Sequence, residues 1–336
     1  MISDKENMRR FYFHGEPEWM PAFGVGFHFI IPLNGYLERP RDNGGGRDWF
    51  GVEWIYKEGE PAPVPDSARH IVLEDICDWR EQVKFPDLDA WDWEEARRID
   101  KIDSIDRENN LLYQSILCGL FERLHALMGF ENAMVAMITE PDETAAFFDA
   151  MTDYKCRLID KIAEHYKPDI LNFHDDWGTQ RSLFFSPDTW RFLIKPRMKT
   201  IIDRAHRYGM AFELHSCGFI QDIIPEICEL GVDCLQCMDL NDIVAMKKIT
   251  GKKMNYNVSF NQQKHDRLIS LGEMSEEELR LDIRKELEAC SEGGGYFPFY
   301  MPGGNKWKDI IHGEVCKFRE EMKLGKKTGE VDDSKI

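Results

Sequence analysis

The sequence predicts an α/β protein: a single (β/α)8 barrel of the TIM type with an irregular, loop-rich N-terminal extension. Three observations lead there. After residue 110, apolar runs of strand length alternate with amphipathic helical segments, the pattern of parallel βαβ crossovers. At least five such units succeed one another, each about 20–40 residues long. Neither GxGxxG nor GxxxxGKS/T occurs in the chain, so a nucleotide-binding open sheet would lack its phosphate loop.

Residues 1–110 form the irregular part, rich in Trp, Pro and Gly, as in DNGGGRDWFGVEWIYKEGEPAPVPDSARH, with one expected strand at 21-PAFGVGFHFII-31. From 111 to 322 the units are regular. Strand 111-LLYQSILCG-119 leads to helix 121-FERLHALMG-129, and 139-TEPDETAAFFDAMTDYKCRLIDKIAEHY-166 is a long amphipathic helix. Strand 169-DILNFHDDW-177 is followed by 186-SPDTWRFLIKPRMKTIIDRAHRYG-209, a helix opened by Ser and Pro and closed by Gly. Strand 210-MAFELHS-216 precedes helix 219-FIQDIIPEICELG-231, and strand 232-VDCLQC-237 precedes helix 240-LNDIVAMKKITG-251. Strand 253-KMNYNVSF-260 leads to a helix around 274–294, and strand 295-GYFPFYM-301 leads to one from Lys306 to Met322. The expected organisation is one barrel domain over 1–322 and a disordered tail over 323–336.

Composition excludes several classes. The hydrophobic content of 43%, with 21 Phe and 9 Trp, suffices for a sizeable core. A net charge of −18 argues against nucleic-acid and anionic-membrane surfaces, and against strongly anionic substrates unless basic residues cluster locally. The start, MISDKENMRRFYFHGEPEWM, lacks a signal-peptide apolar region and no run approaches membrane-spanning length, so a cytoplasmic protein is expected. Nine cysteines, an odd number without small-domain spacing, read as reduced thiols. The lone CxxC, 234-CLQC-237, has no second pair to complete a zinc site.

Strand side chains alternate faces with period 2. Glu213, His215 and Cys217 therefore share one face, Asn172, His174 and Asp176 another, and Asn255, Asn257 and Ser259 a third. Polar stripes at strand ends need partners, a metal or a ligand to offset desolvation. In a barrel, the C-terminal strand ends carry the chemistry. His215 and Cys217, two apart, can converge on one ion.

The block 175-DDWGTQRSLFFSPDTWRFLIKPRMKTIIDRAHRYGMAFELHSCGFIQDIIPEICELGVDCLQ-236 resembles the uroporphyrinogen decarboxylase superfamily, most of all its branch of corrinoid-dependent methyltransferases and O-demethylase components. The resemblance spans roughly residues 8–322, with 14-HGEPEWMPAFG-24, 84-KFPD-87 and 293-GGGYF-297 as further pieces. It implies a (β/α)8 barrel. Decarboxylases of the family resemble this chain at PxWM but continue into an Arg-containing motif for substrate carboxylates. No Arg lies between Pro17 and Phe29 here, which disfavours a porphyrinogen with its many carboxylates.

The methyltransferase branch implies zinc held by HxC and a later cysteine. His215 and Cys217 match the pair, but the loop after the last strand, 300-YMPGGNKW-307, has no Cys, and Cys316 reads as packing in the last helix. Substitute ligands are Cys237, Glu213 or Asp176, and Cys237 is taken as the third metal residue. The resemblance then implies methyl transfer from a methylated small molecule, a methoxylated aromatic or similar donor, to cobalamin. His174, Asp176 and Glu213 are the expected catalytic residues, and Phe27, His28, Asn172 and Asn257 the expected substrate contacts. Phe23, Phe29, Trp49 and Trp54 are further candidates for a planar pocket. No DxHxxG cobalamin-ligand motif is present, so the cobalamin is expected on a separate corrinoid protein. A homo-oligomer is compatible with all of this. The alternatives are a decarboxylase and a non-catalytic barrel that binds a small molecule.

Overall fold

Ser3 starts the first helix by accepting a hydrogen bond from the Glu6 amide at 3.1 Å, and α1 (Asp4–Tyr12) carries acidic residues in its first turn and arginines in its last. The sequence pattern predicts no helix here. In the computed structural model, residues 2–30, 45–57, 63–260, 262–300 and 306–329 are described. The next element is strand β1 (Phe27–Ile30), shorter than expected, and position 31 of the expected strand lies outside the described residues. The chain divides into two units. One takes residues 1–28, 107–111 and 233–336; the other takes 29–106 and 112–232.

The second unit begins with a small antiparallel sheet of β2 (Gly46–Arg47), β3 (Glu53–Ile55) and β4 (Val64–Pro65). Asp48 organises it from within the turn. Its Oδ1 accepts from the amides of Phe50 and Val52 at 2.9 and 3.0 Å, and its Oδ2 accepts from Trp54 Nε1 at 3.0 Å and Arg123 at 2.5 Å. Both side chains of the Arg123–Asp48 pair are fully buried, and the guanidinium lies 4.3 Å from the centroid of the Phe50 ring. The loop-rich segment is thus anchored by a buried ion pair, whose disruption on one side costs about 3–5 kcal/mol.

Helices α2 (Trp79–Gln82) and α3 (Trp93–Ile99) lead to β5 (Leu111–Ile116), α4 (Leu120–Met128), α5 (Phe130–Thr139) and α6 (Pro141–His165). Then come β6 (Ile170–His174), α7 (Pro187–Leu193), α8 (Lys195–Arg207), β7 (Ala211–Ser216) and α9 (Ile224–Glu229). β6 pairs parallel to both β5 and β7, which sets Ser115, Asn172 and Glu213 in one row and His174 opposite His215. The single helix expected over 186–209 is two, broken at Ile194 ahead of Pro196. The pyrrolidine ring lacks an N–H and crowds the carbonyl four residues back. Helix α5, not foreseen, starts after Gly129, whose left-handed φ of 80° turns the chain out of α4.

In the first unit, β8 (Cys234–Met238), α10 (Ile243–Thr250), β9 (Asn255–Ser259), α11 (Gln262–Ser270), α12 (Glu276–Ser291), β10 (Tyr296–Phe299) and α13 (Lys306–Gly329) continue the alternation. β9 pairs parallel to both β8 and β10, so Gln236, Asn257 and Phe297 form one row. Helix α1 closes on this layer. Phe11 packs edge-on against Phe297 at 5.1 Å, and Asn255 donates to the Phe11 carbonyl. Buried Asn7 donates to the Trp19 carbonyl at 2.9 Å and accepts from the Glu18 amide at 2.7 Å. α12 starts on a capping box between Ser275 and Glu278. α13 runs to Gly329 rather than stopping at Met322; the rest of the expected tail, 330–336, and positions 301–305 of the loop after β10 lie outside the described residues.

Each unit therefore carries three neighbouring parallel strands with helices between them, the α/β architecture expected. No helix among the described residues is long and apolar enough to cross a membrane.

Candidate functional site

The site is built on the loops after β6 and β7. Alternation sends His174 and Asp176 to one side and Asp175 to the other. Asp175 is fully buried and accepts from the amides of Phe121 and Glu122 at 3.3 and 2.9 Å and from Trp177 Nε1 at 2.8 Å. It thereby caps α4, whose own preceding residue, Gly119, has no side chain to do so. A Cβ at Gly119 would lie 2.5 Å from the Asp175 Cβ, so the close approach itself requires glycine. Burial pushes the Asp175 carboxyl up to about 6 despite those donors.

Four hydrogen bonds tie the two loops together. The Asp175 amide donates to the His215 carbonyl at 3.0 Å, and the Trp177 amide donates to Ser216 Oγ at 3.0 Å. The Cys217 amide donates to Asp176 Oδ1 at 2.7 Å, and the Phe219 amide donates to the Thr179 carbonyl at 2.7 Å. Between them the backbones meet at Gly178 and Gly218. A Cβ on Gly218 would sit 2.2 Å from the Gly178 carbonyl carbon, and its φ is +83°. Only glycine satisfies both conditions.

This seam brings Asp176, His215 and Cys217 together. One ligand atom from each lies within 4.8 Å of the others. His215 Nε2 is 3.3 Å from Cys217 Sγ and 3.6 Å from Asp176 Oδ1. Tetrahedral zinc with bonds of about 2.0–2.3 Å sets its ligand atoms roughly 3.3–3.8 Å apart, so the two distances from His215 fit a divalent ion. All three side chains are half-buried. His174 stacks on His215 with ring centroids 4.1 Å apart and planes 21° from parallel.

The other expected residues take different places. Glu213 is fully buried and accepts from the Tyr113 hydroxyl and, at 3.1 Å, from Asn172 Nδ2, while Ser115 Oγ donates to Asn172 Oδ1 at 2.9 Å. The carboxylate therefore belongs to a bonded row across β5, β6 and β7. Phe27, His28, Asn257 and Cys237 lie in the other unit. Phe27 is buried against Phe23, which packs edge-on to Phe299; His28 is exposed. Asn257 and Cys237 are buried on β9 and β8. The third ligand-type group beside His215 and Cys217 is Asp176. Of the aromatic candidates, Phe29 packs on Tyr113 at 5.1 Å and Trp49 on Trp91 at 4.5 Å, while Trp54 is buried on Asp48. Sequence reasoning misses Tyr113 and Ser115, although they share a face of 111-LLYQSILCG-119 and would extend the polar stripes to a further strand.

Nitrogen, oxygen and sulfur donors thus gather at the C-terminal ends of two parallel strands, the place where barrel enzymes carry their chemistry. Residues 117–294 match the family model described as uroporphyrinogen decarboxylase (URO-D), and the chain belongs to that family. Among solved structures it is similar to a methyltransferase from Methanosarcina mazei, with a TM-score of 0.67 and 14% identity over 96% of this chain and 100% of that one. This likeness shows the fold. A looser likeness is to an intracellular xylanase from Thermoanaerobacterium saccharolyticum (TM-score 0.36, 11% identity, 62% of this chain and 71% of that one). Another is to Old Yellow Enzyme from Pichia sp. (TM-score 0.38, 8% identity, 95% and 79%). No curated protein matches the chain.

Proposed function

We propose that the chain is a methyltransferase that moves a methyl group from a methylated small molecule, such as a methoxylated aromatic, to the cobalamin of a separate corrinoid protein in the cytoplasm. The observation that carries this reading is the Asp176–His215–Cys217 group at the ends of two parallel strands. Family membership and a fold shared with a methyltransferase support it. The reading includes closure of the strands into the family's (β/α)8 barrel.

The donor set fits zinc, held by His215 Nε2, Cys217 Sγ and an Asp176 oxygen; when bound, it supplies a Lewis acid that polarises the methylated heteroatom. The protein's own groups do the rest. Asp176 Oδ1 accepts from the Cys217 amide, which holds the carboxylate beside His215. His174, stacked on His215, is placed to hold a proton for the leaving oxygen. Glu213, bonded to Tyr113 and Asn172, keeps β6 and β7 in register beneath the site, and through that row Asn172 bears on substrate placement.

The test is direct. Purified protein is analysed for metal, then mixed with cob(I)alamin and a panel of methoxyaromatics, and separately with uroporphyrinogen. Methylcobalamin formation is the expected result. Coproporphyrinogen without methylcobalamin would overturn the proposal in favour of decarboxylation.

A further inference from the structure

A cavity of about 730 Å³ opens at the N-terminal ends of β9 and β10, within the first unit. Met254 and Asn255, the turn Gly293–Gly295, and Lys247, Lys248 and Lys252 line it. The methyl-transfer reading makes no use of it.

The charge of its walls runs against that of the chain. Overall net charge is −18, yet three lysines and His14 face Glu16 and Glu292 here. Lys252 pairs with Glu16 at 2.6 Å. Lys247 donates to the carbonyls of Cys290 and Glu292 at 2.5 and 2.8 Å. Neither Lys247 nor Lys248 forms an ion pair among the described residues. His14 bonds Asp233 at 2.9 Å, and that carboxylate raises its pKa and favours the imidazolium. Burial lowers the pKa of Lys247, with Cys290 and Glu292 opposing.

The wall chemistry names the ligand class. Cationic side chains in the lining are ammonium and imidazolium groups, with no guanidinium. Ammonium groups bind phosphate as point charges. Gly293, Gly294 and Gly295 have φ of +75°, +74° and +68°, and a Cβ at either of the first two would meet nothing within 4 Å. They thus present bare backbone to open space, as where a main chain approaches a ligand closely. Pro17, Val244, Met254 and Ala289 supply apolar surface. The volume suits a whole small molecule rather than a lone anion.

We propose that this cavity binds a phosphorylated small molecule between Lys247, Lys248 and the Gly293–Gly295 turn.

Isothermal titration of the full chain with AMP, inorganic phosphate and succinate tests this, with Lys248→Glu, Ala289→Trp and Asp176→Asn variants. AMP should bind with one-to-one stoichiometry, phosphate more weakly, and succinate weakest. Lys248→Glu should weaken AMP by about tenfold or more, Ala289→Trp should abolish binding by filling the space, and Asp176→Asn should leave it unchanged. Melting curves verify that the variants fold. Failure of both AMP and phosphate to bind overturns the proposal, as does wild-type AMP affinity in Lys248→Glu and Ala289→Trp. Succinate binding as tightly as AMP overturns the phosphate assignment.

Discussion

The carboxylate of Asp176 accepts a hydrogen bond from the backbone amide of Cys217 at 2.7 Å, so the loop after one strand is fastened to the ligand-type residue after the next. This bond aims Asp176 at His215 Nε2, 3.6 Å away. A carboxylate so held is preorganised, and its removal should act on metal affinity before it acts on folding.

Asp176→Asn, His215→Ala and Cys217→Ser should each lower zinc affinity, the last two by about 100-fold or more and Asp176→Asn by about 10–100-fold. Competition with a chromophoric chelator measures this. Equal zinc retention in all three variants would remove these residues as ligands.

Gly218→Ala forces a methyl group to within 2.2 Å of the Gly178 carbonyl carbon in addition to the cost of a positive φ. Gly209 also has a positive φ, +73°, but open space around its Cβ position. Gly209→Ala should therefore cost about 1–2 kcal/mol, and Gly218→Ala visibly more, with weakened zinc binding as the seam parts. Denaturant melts compare the two. Equal stability losses would mean that the backbone contact is readily relieved.

Arg123→Met and Asp48→Asn should each destabilise by about 3–5 kcal/mol, because each strands a buried polar partner. The double replacement should recover part of the loss. A double-mutant cycle reads the coupling, and strict additivity would show that the two groups do not depend on one another.

Burial pushes the Glu286 carboxyl on α12 up to about 8, with repulsion from Asp239 and Asp282 adding to it and Lys264 opposing. The folded state therefore holds this proton more tightly than the unfolded chain does. The resulting stability is complete below the ordinary glutamate range near 4.5 and is lost as pH rises through about 8. Between pH 7 and 9 the loss should be about 1 kcal/mol. Glu286→Gln should flatten the profile in that window, and an unchanged profile would place the titration elsewhere.

How far the sequence speaks depends on the range of the interaction that decides each feature. Strands β6 to β10 are legible because apolar runs and Gly boundaries are local. The faces of β6 and β7 are legible too, since period 2 alone puts His174 with Asp176 and His215 with Cys217. The choice among substitute ligands is not, because what sets Asp176 beside His215 is a backbone crossing at Gly178 and Gly218. Asp175 reads as one of a pair of aspartates until α4 is seen to start on it. Likewise Asp48 and Arg123 lie 75 residues apart, and nothing in either stretch names the other. Helix α1 is within reach of the sequence: Ser3 with Glu6 three residues on is a start signal, outweighed by the irregular composition of residues 13–110.

The make-up of the first unit bears on how the protein is born. Its α1 is made before the other unit, yet its partners Asn255 and Phe297 are made after it. The other unit is complete once residue 232 has emerged. At roughly 5–20 residues per second, the remaining hundred or so take about 5–20 s. Through that interval the apolar side of α1, with Phe11 and Tyr12, has no strand layer to cover it. A ribosome stalled once residue 232 has emerged should therefore display the residues of the second unit complete, with α1 still lacking its own strand layer.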